Sequence, residues 1–141
     1  MLTVLVIDES RSRAGEICAG LALAGYQVAA ILAGSENLTA EVEKLQPDVI
    51  LIDTDSPSRD TLEHLAAMNK NMPRPVVIFT QEDGQATIRD AVKAGVSAYI
   101  VDGLDPRRIK PIVEVARARF EDTQALRREL DEISQKLSDR K

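Results

Sequence analysis

The stretch DVILIDTDSPSRD, residues 48–60, joins an apolar run to a group of acids. Its first part, VILI (49–52), has no polar alternation, which is typical of a strand buried on both faces of a parallel sheet. The run ends in Asp53, and a second carboxylate follows at Asp55 before a turn that contains Pro57. A buried charge is costly unless it is paired or bound to a metal. The stretch therefore predicts both a central strand and a functional site at its end.

Apolar strands and helical segments alternate along the rest of the chain. Strands are predicted over 3–7, 26–32, 49–52, 76–79 and 98–101. Helices are predicted over 11–24, 38–45, 61–68, 85–94 and 106–138. Because short connections between alternating elements favour right-handed crossovers, the pattern predicts an α/β fold with a doubly wound parallel sheet. Five strands suit the flavodoxin-like order 2-1-3-4-5, in which the first and third strands are neighbours.

Composition and charge limit the classes of function. The 141 residues carry a formal net charge of −5, which disfavours unaided binding of nucleic acid because Lys and Arg must neutralise its phosphates. The arginines near the C-terminus are interleaved with acids, a pattern typical of a solvated helix surface. No apolar run approaches the roughly 20 residues of a membrane span. The single cysteine, Cys18, is predicted to lie in the core, and one cysteine favours a cytoplasmic protein.

The final predicted helix is longer than one domain needs. Over 106–138 it would extend on the order of 50 Å, and its first part carries an apolar face for packing on the sheet. That face consists of Ile109, Ile112, Val113, Ala116 and Phe120. Beyond it, an apolar seam of Leu126, Leu130, Ile133 and Leu137 repeats at intervals of four, three and four. This is the spacing of a coiled coil, so we expect a homodimer, with a frayed, solvated tail as the alternative.

Acidic side chains follow two strands that should be neighbours. Asp8 and Glu9 follow the first strand, and Asp53 ends the third. In a doubly wound sheet these positions meet at the switch-point crevice, where three carboxylates would repel one another unless a cation joined them. We expect magnesium (Mg²⁺), held by these acids and by the backbone carbonyl of Asp55. The structural alternative is that the acids only cap strand ends and form turns.

Thr80, at the end of the fourth strand, completes the predicted site. Its hydroxyl would face the same crevice and donate a hydrogen bond to an anionic ligand. A carboxylate beside Mg²⁺ and a hydroxyl donor suits the acceptance of a phosphoryl group, with Asp53 attacking in line.

This combination of residues resembles the receiver domain of bacterial two-component response regulators, over about residues 1–120. The resemblance implies that Asp53 is the phospho-acceptor and that Asp8 and Glu9 are metal-binding acids. It also implies that Thr80 is the switch hydroxyl.

Two more positions take their meaning from the same resemblance. Tyr99 falls on an aromatic switch position whose rotamer follows the threonine. Receivers usually follow the fifth strand with Lys-Pro, the lysine pairing with the phosphoryl group, whereas this chain has Asp102 in place of the lysine. A carboxylate there would oppose an acyl phosphate. Control by a partner protein is therefore an alternative to phosphorylation.

The stretches DTDSPSRDTLEHL (53–65) and AYIVDGL (98–104) narrow the likeness to antitermination regulators of the ANTAR type, particularly those of nitrate assimilation. This resemblance implies a receiver or pseudo-receiver domain over 1–120. It further implies a coiled-coil linker over 121–141, leading to an RNA-binding ANTAR domain absent from this chain. The partner implied is a sensor kinase or a nitrate-sensing regulatory protein. RNA would be contacted only through the absent domain, and membrane contact is not expected.

An enzymatic function is the competing hypothesis. Asp53-Thr54-Asp55 superficially resembles the DxD motif of aspartate-nucleophile phosphohydrolases, with Asp53 as nucleophile and Asp55 as general acid. Those enzymes also need a lysine and further acids, and their motif follows the first strand, not the third. A dinucleotide-binding role is weaker still, because no G-x-G-x-x-G follows the first strand. We therefore expect a regulator and not an enzyme.

Overall fold

The computed structural model describes residues 1–9, 14–34, 37–102 and 105–138. Its strands are β1 (Thr3–Asp8), β2 (Gln27–Leu32), β3 (Val49–Asp53), β4 (Val76–Thr80) and β5 (Ala98–Val101). Its helices are α1 (Ala14–Leu23), α2 (Leu38–Leu45), α3 (Arg59–Asn71), α4 (Gln85–Lys93) and α5 (Ile109–Ser138), with a 3-10 turn over Pro106–Arg108. All neighbouring strands are parallel, in the order β2-β1-β3-β4-β5. The predicted fold class is confirmed.

Capping residues set the starts of two helices. The Ser58 side chain accepts a hydrogen bond of 3.1 Å from the backbone N–H of Thr61, so α3 begins at Arg59, two residues before its predicted start. The Asp105 side chain caps the last helical segment, whose predicted start at position 106 is confirmed, but the segment begins as a 3-10 turn, which is common at helix N-termini. The predicted start of the first helix, at position 11, lies outside the described residues.

Alternate residues of the strands pack on opposite faces of the sheet. In β3, Ile50 and Ile52 pack with residues of α2, α3 and α4, whereas Val49 and Leu51 pack with residues of α1 and α5. All four are fully buried, which explains the lack of polar alternation in this strand. Helices cover both faces of the sheet, so its faces are closed to ligands. In folds of this type, ligands bind at the carboxyl-terminal edge, where the strands end.

A close contact between α1 and the start of the last helical segment joins α5 to the domain. Gly20 lies on the buried side of α1. A Cβ atom at Gly20 would collide with Ile109 Cδ1 and would lie 3.0 Å from Pro106 Cα. The sequence predicts that Cys18, on the same helix, lies in the core, but the structure shows that it is only half-buried. A side chain larger than that of glycine at position 20 would therefore press against the Pro106 backbone.

A hydrogen-bonded group also ties α5 to the segment before β2. The hydroxyl of Tyr26 donates a 2.7 Å hydrogen bond to Glu114 Oε1, and Arg117 donates to the same carboxylate. Burial, followed by the Glu114 carboxylate, raises the pKa of Tyr26 well above its ordinary value. The Tyr26 hydrogen bond in turn lowers the pKa of Glu114. At neutral pH the phenol is therefore a donor and the carboxylate an acceptor, as the contact requires.

Past residue 124, every described residue of α5 is exposed. The apolar seam of Leu126, Leu130, Ile133 and Leu137 is exposed, with exposed fractions of 52–64%. A regular apolar stripe in contact with water needs a partner. None of the described helices is both long enough and apolar enough to cross a membrane.

Replacing Gly20 by alanine tests the contact between α1 and the final helical segment. We expect Gly20→Ala to lower the free energy of unfolding by about 1–3 kcal/mol, because the added methyl group meets backbone that cannot yield cheaply. The measurement is urea denaturation followed by circular dichroism. Gly15→Ala on the same helix is the matched control, since a Cβ there has open space, and alanine favours helix over glycine. Equal destabilisation by both variants would contradict the close packing at Gly20.

Candidate functional site

Two buried carboxylates lie side by side at the carboxyl-terminal edge of the sheet. Asp8 ends β1 and Asp53 ends β3, and the two residues face each other directly in the register of these parallel strands. Asp53 is fully buried and Asp8 is 4% exposed. Adjacent strands lie about 4.8 Å apart, so two ionised carboxylates here repel each other strongly unless positive charge or donors compensate. The pair is the electrostatic centre of the candidate site.

Glu9 lies next to this pair, but its carboxylate is bound elsewhere. Its backbone N–H donates a 2.9 Å hydrogen bond to the carbonyl of Asp53. Its side chain accepts hydrogen bonds from Thr54 Oγ1 at 2.8 Å and from Thr61 Oγ1 at 3.0 Å. Within the described ranges, which include all three acids, no group of three His, Cys, Asp or Glu side chains is arranged to hold a metal ion. The structure therefore brings Asp8 and Asp53 together and does not bring the Glu9 carboxylate to them.

The placement of Glu9 depends on residues that the sequence did not single out. Thr54 and Thr61 supply the hydroxyl donors, and Thr54 is itself buried. Gly34, with a φ of +100°, lies so close that a Cβ atom there would be 2.8 Å from Glu9 Cγ. The first threonine follows β3 and the second lies in the first turn of α3, so only the folded chain juxtaposes them with Glu9. No short-range sequence signal marks this arrangement.

A hydrogen-bonded chain connects the end of β4 to the loop before α4. The Thr80 hydroxyl donates 2.9 Å to the carbonyl of Asp55 and accepts 3.2 Å from the backbone N–H of Glu82. The hydroxyl of Tyr99 donates 2.8 Å to the carbonyl of Glu82. Burial, followed by the charge of Glu82, raises the pKa of Tyr99, so the phenol stays protonated and can donate. Thr80 and Tyr99, the two predicted switch residues, thus both bond to the backbone of Glu82, Thr80 at its N–H and Tyr99 at its carbonyl.

Asp102 follows β5 in an uncommon backbone conformation. Its φ is +56°, in the left-handed region that aspartate tolerates better than most residues. Its backbone N–H donates a 3.1 Å hydrogen bond to the carbonyl of Thr80. The residue is exposed, so water screens its charge. Asp102 therefore opposes an anion at the site less than a buried carboxylate at this position would.

The chemistry of the donor set fits Mg²⁺ with two carboxylates. Magnesium is usually held by one or two carboxylates, with water or phosphate oxygens completing its coordination, and Asp8 and Asp53 meet that requirement. The predicted third group, the carbonyl of Asp55, already accepts hydrogen bonds from Thr80 Oγ1 at 2.9 Å and from Gln81 N at 3.3 Å. A carbonyl oxygen has two lone pairs. Ligation of a metal by this oxygen would therefore require that one of these bonds be given up.

Metal titration separates the roles of Asp8 and Glu9. We expect Asp8→Asn to weaken Mg²⁺ binding by about tenfold or more, because it removes one of two charged ligands. Glu9→Gln should weaken it by less than about threefold, because the Glu9 carboxylate is held by two threonines. Isothermal titration calorimetry with Mg²⁺, repeated with Mn²⁺, gives both values. Equal losses in the two variants would mean that Glu9 turns back to the metal when it binds.

Comparisons with known proteins agree with this geometry. A family model described as the response regulator receiver domain matches residues 4–114. The transcriptional regulatory protein PdtaR of Mycobacterium tuberculosis is 26% identical over 117 residues, covering 83% of this chain and 57% of the relative. The DNA-binding response regulator MtrA of Mycolicibacterium smegmatis is 28% identical over 135 residues, covering 96% and 55%. This chain thus spans little more than half the length of these curated relatives.

The solved structures agree on the fold. The response regulator receiver domain protein (CheY-like) from Methanospirillum hungatei superposes with a TM-score of 0.72 at 20% sequence identity, covering 87% of this chain and 98% of that one. At this level of identity the likeness concerns the fold alone. The family model, in contrast, matches most of the chain, including both buried carboxylates and the threonine that ends β4. This chain belongs to the response regulator receiver domain family.

Proposed function

We propose that this chain is the signal-receiving domain of a bacterial two-component-type regulator of transcription antitermination, with Asp53 as its phospho-acceptor. The observation that carries the proposal is the buried Asp8–Asp53 pair at the edge of the sheet, next to the hydroxyl of Thr80. The sequence likeness of 53–65 and 98–104 to antitermination regulators supplies the finer assignment. In this proposal the chain is a cytoplasmic regulator and not an enzyme, and its output is an ANTAR-type RNA-binding domain after the coiled-coil segment.

Phosphorylation of Asp53 would begin with attack of a carboxylate oxygen on the phosphorus of a phosphodonor. A phosphorus–oxygen bond to Asp53 forms, the bond to the leaving group breaks, and the leaving group keeps the electron pair. Mg²⁺, when bound by Asp8 and Asp53, supplies positive charge where the phosphoryl oxygens carry negative charge. Burial of Asp53 excludes water from the carboxylate, which strengthens these electrostatic interactions.

The signal would leave the site through Thr80. To donate to a phosphoryl oxygen on Asp53, the Thr80 hydroxyl must release the carbonyl of Asp55, which then becomes available to Mg²⁺. The same movement withdraws the acceptor of the Glu82 N–H, while the Tyr99 hydroxyl still holds the Glu82 carbonyl. The loop before α4 would therefore shift with Tyr99. This coupling follows from shared hydrogen bonds and requires no long-range pathway.

The presence of Asp102 at the position of the usual lysine favours a role for a partner protein. Because Asp102 offers no cation to a phosphoryl group, phosphorylation lacks one charge-assisted contact that receivers usually have. A sensor kinase can act on Asp53 despite this loss, and a nitrate-sensing regulatory protein can act without phosphorylation by binding the receiver surface. The two routes differ in whether the domain ever carries a phosphoryl group.

The exposed seam of α5 would carry the output by dimerisation. Leucine and isoleucine at heptad spacing, more than half exposed, fit a two-stranded coiled coil between copies of this chain. In such a dimer the C-terminal ends of the two α5 helices would lie side by side. This geometry suits an output domain that recognises RNA as a pair.

Treatment with acetyl phosphate and Mg²⁺ tests the phospho-acceptor. We expect intact-protein mass spectrometry to show one phosphoryl increment, lost in Asp53→Asn and retained in Asp55→Asn, because only the backbone carbonyl of Asp55 takes part. We also expect Asp102→Lys to raise the phosphorylated fraction, since it restores a cation. If neither the wild type nor Asp102→Lys showed the increment, phosphorylation of Asp53 would be contradicted and control by a partner protein would be favoured.

The antitermination assignment has a separate readout. Full-length protein should increase transcription through a leader terminator in a cell-free system, and this effect should change in Asp53→Asn if phosphorylation controls it. Binding of double-stranded DNA without any effect on the terminator would contradict the assignment and leave the receiver site intact.

Analytical ultracentrifugation tests the seam. We expect the chain to sediment as a dimer at micromolar concentration and the double variant Leu130→Asp with Ile133→Asp to weaken dimerisation by about 100-fold or more, since two buried apolar side chains are lost. The double variant Ser134→Asp with Gln135→Asp adds the same two negative charges beside the seam and serves as the matched control. A monomeric wild-type chain at all concentrations would contradict the dimer.

A further inference from the structure

We propose that a cleft between the α4–β5 turn and α5 is a binding site for a nucleoside phosphate. The cleft has a volume of about 310 Å³, at the lower end of the range for ligand sites. Its lining consists of Asn69, Val92, Lys93, Gly95, Val96, Ser97, Arg119, Phe120, Thr123, Gln124 and Arg127. This site is independent of the proposed phospho-acceptor.

The charge of the lining points to an anion. Lys93, Arg119 and Arg127 line the cleft, and no carboxylate does. The chain as a whole carries a net charge of −5, whereas all the charged residues that line this cleft are cations. Within the part of the chain that the structure describes, none of the three cations forms an ion pair. Three cations that lack internal partners and converge on one concave surface suit phosphate oxygens.

The helical geometry of α5 produces this separation of charge. Arg119, Thr123 and Arg127 recur at intervals of four and therefore share one side of the helix. Glu121 lies between them in the sequence but is turned by about 200° from Arg119 and projects from the opposite side of α5, because each residue turns the helix by about 100°. Asp122, three residues after Arg119, lies at the margin of this side and does not line the cleft. The residues of α5 that line the cleft are therefore cationic or uncharged, although acids stand among them in the sequence.

The rest of the lining suits a nucleoside. Phe120 is half-buried in the cleft and offers an aromatic ring, on which a base can stack. Asn69 and Gln124 are also half-buried, and their amides can both donate and accept hydrogen bonds. Amides of this kind match the edges of a nucleobase. A bare phosphate would use the cations but would leave the ring and the amides without a role.

The cleft and the acidic site lie at opposite ends of the strands. Gly95, Val96 and Ser97 precede β5 and stand at the amino-terminal edge of the sheet, where the Ser97 N–H donates to the carbonyl of Val76 at the start of β4. Asp53 and Asp8 lie at the carboxyl-terminal edge. A phosphate in the cleft is therefore separated from the buried carboxylates by the length of the sheet. Binding at the cleft needs neither Mg²⁺ nor phosphorylation of Asp53.

Isothermal titration calorimetry in EDTA provides the test, with AMP, ATP, pyrophosphate, polyglutamate and a short single-stranded RNA as separate titrants. EDTA prevents any metal-dependent binding at Asp8 and Asp53. We expect saturable binding of nucleotides, weakened about fivefold to tenfold by Arg119→Gln or Arg127→Gln, as for loss of one charge-assisted contact. Phe120→Leu should weaken nucleotide binding by about fivefold and leave pyrophosphate binding unchanged. Circular dichroism checks that each variant is folded.

Arg128→Gln is the matched control, because Arg128 neighbours Arg127 on α5 but does not line the cleft. It should retain wild-type affinity for nucleotides. An equal loss in Arg128→Gln would reduce the effect to general electrostatics and overturn the proposal. Pyrophosphate binding as tight as that of nucleotides would also overturn it, as would tighter binding of polyglutamate, which would point to an acidic protein. Lack of saturable binding by any titrant would do the same.

The single-stranded RNA arm identifies the source of the nucleotide. Tighter binding of the RNA than of AMP, with the same dependence on Arg119 and Arg127, assigns the cleft to one nucleotide of a strand. Binding of AMP or ATP without a gain for the RNA assigns it to a free nucleotide. Both results support the shared chemistry, and neither depends on whether Asp53 accepts a phosphoryl group.

Discussion

The burial of two carboxylates next to each other at the end of a parallel sheet is the constraint on which the site depends. Asp8 and Asp53 face each other across β1 and β3 and have almost no contact with water. Such a pair costs free energy unless positive charge or hydrogen-bond donors are supplied. The sheet therefore fixes two carboxylates at one place, where positive charge is favoured. A magnesium ion held by both carboxylates would supply positive charge there, and it would also neutralise the charge of a phosphoryl group on Asp53.

The surroundings of the pair show how the fold distributes its polar groups. The Glu9 carboxylate, which the sequence places beside the pair, is bound instead by the hydroxyls of Thr54 and Thr61. This arrangement satisfies one of the three acids without a metal and reduces the repulsion at the sheet edge. Thr80 likewise already has an acceptor, the carbonyl of Asp55. A ligand at the site must compete with these internal bonds, which makes its binding a rearrangement and not a simple addition.

The two ends of the sheet differ in charge. Carboxylates gather at the carboxyl-terminal edge, whereas Lys93, Arg119 and Arg127 line a cleft near the amino-terminal edge. This difference in charge is not evident from the net charge of the chain. It is not evident from the sequence of α5 either, because acids and bases alternate there. We interpreted that alternation in the sequence as a solvated surface. The helix places Arg119 and Arg127 on one side, so cations line the cleft although the sequence contains no cationic run.

The sequence by itself determined the fold class, the order of the strands and the position of Asp8, Asp53 and Thr80 at strand ends. Hydrophobic periodicity is local, and the C-terminal ends of neighbouring parallel strands must meet wherever the strands pair. The same kind of periodicity identified each residue of the apolar seam of α5. Only the tertiary structure decided that Glu9 bonds to Thr54 and Thr61, that Cys18 is half-buried, and that Gly20 permits α1 to approach the final helical segment. These outcomes depend on contacts between residues far apart in the chain, whose distances no local pattern encodes.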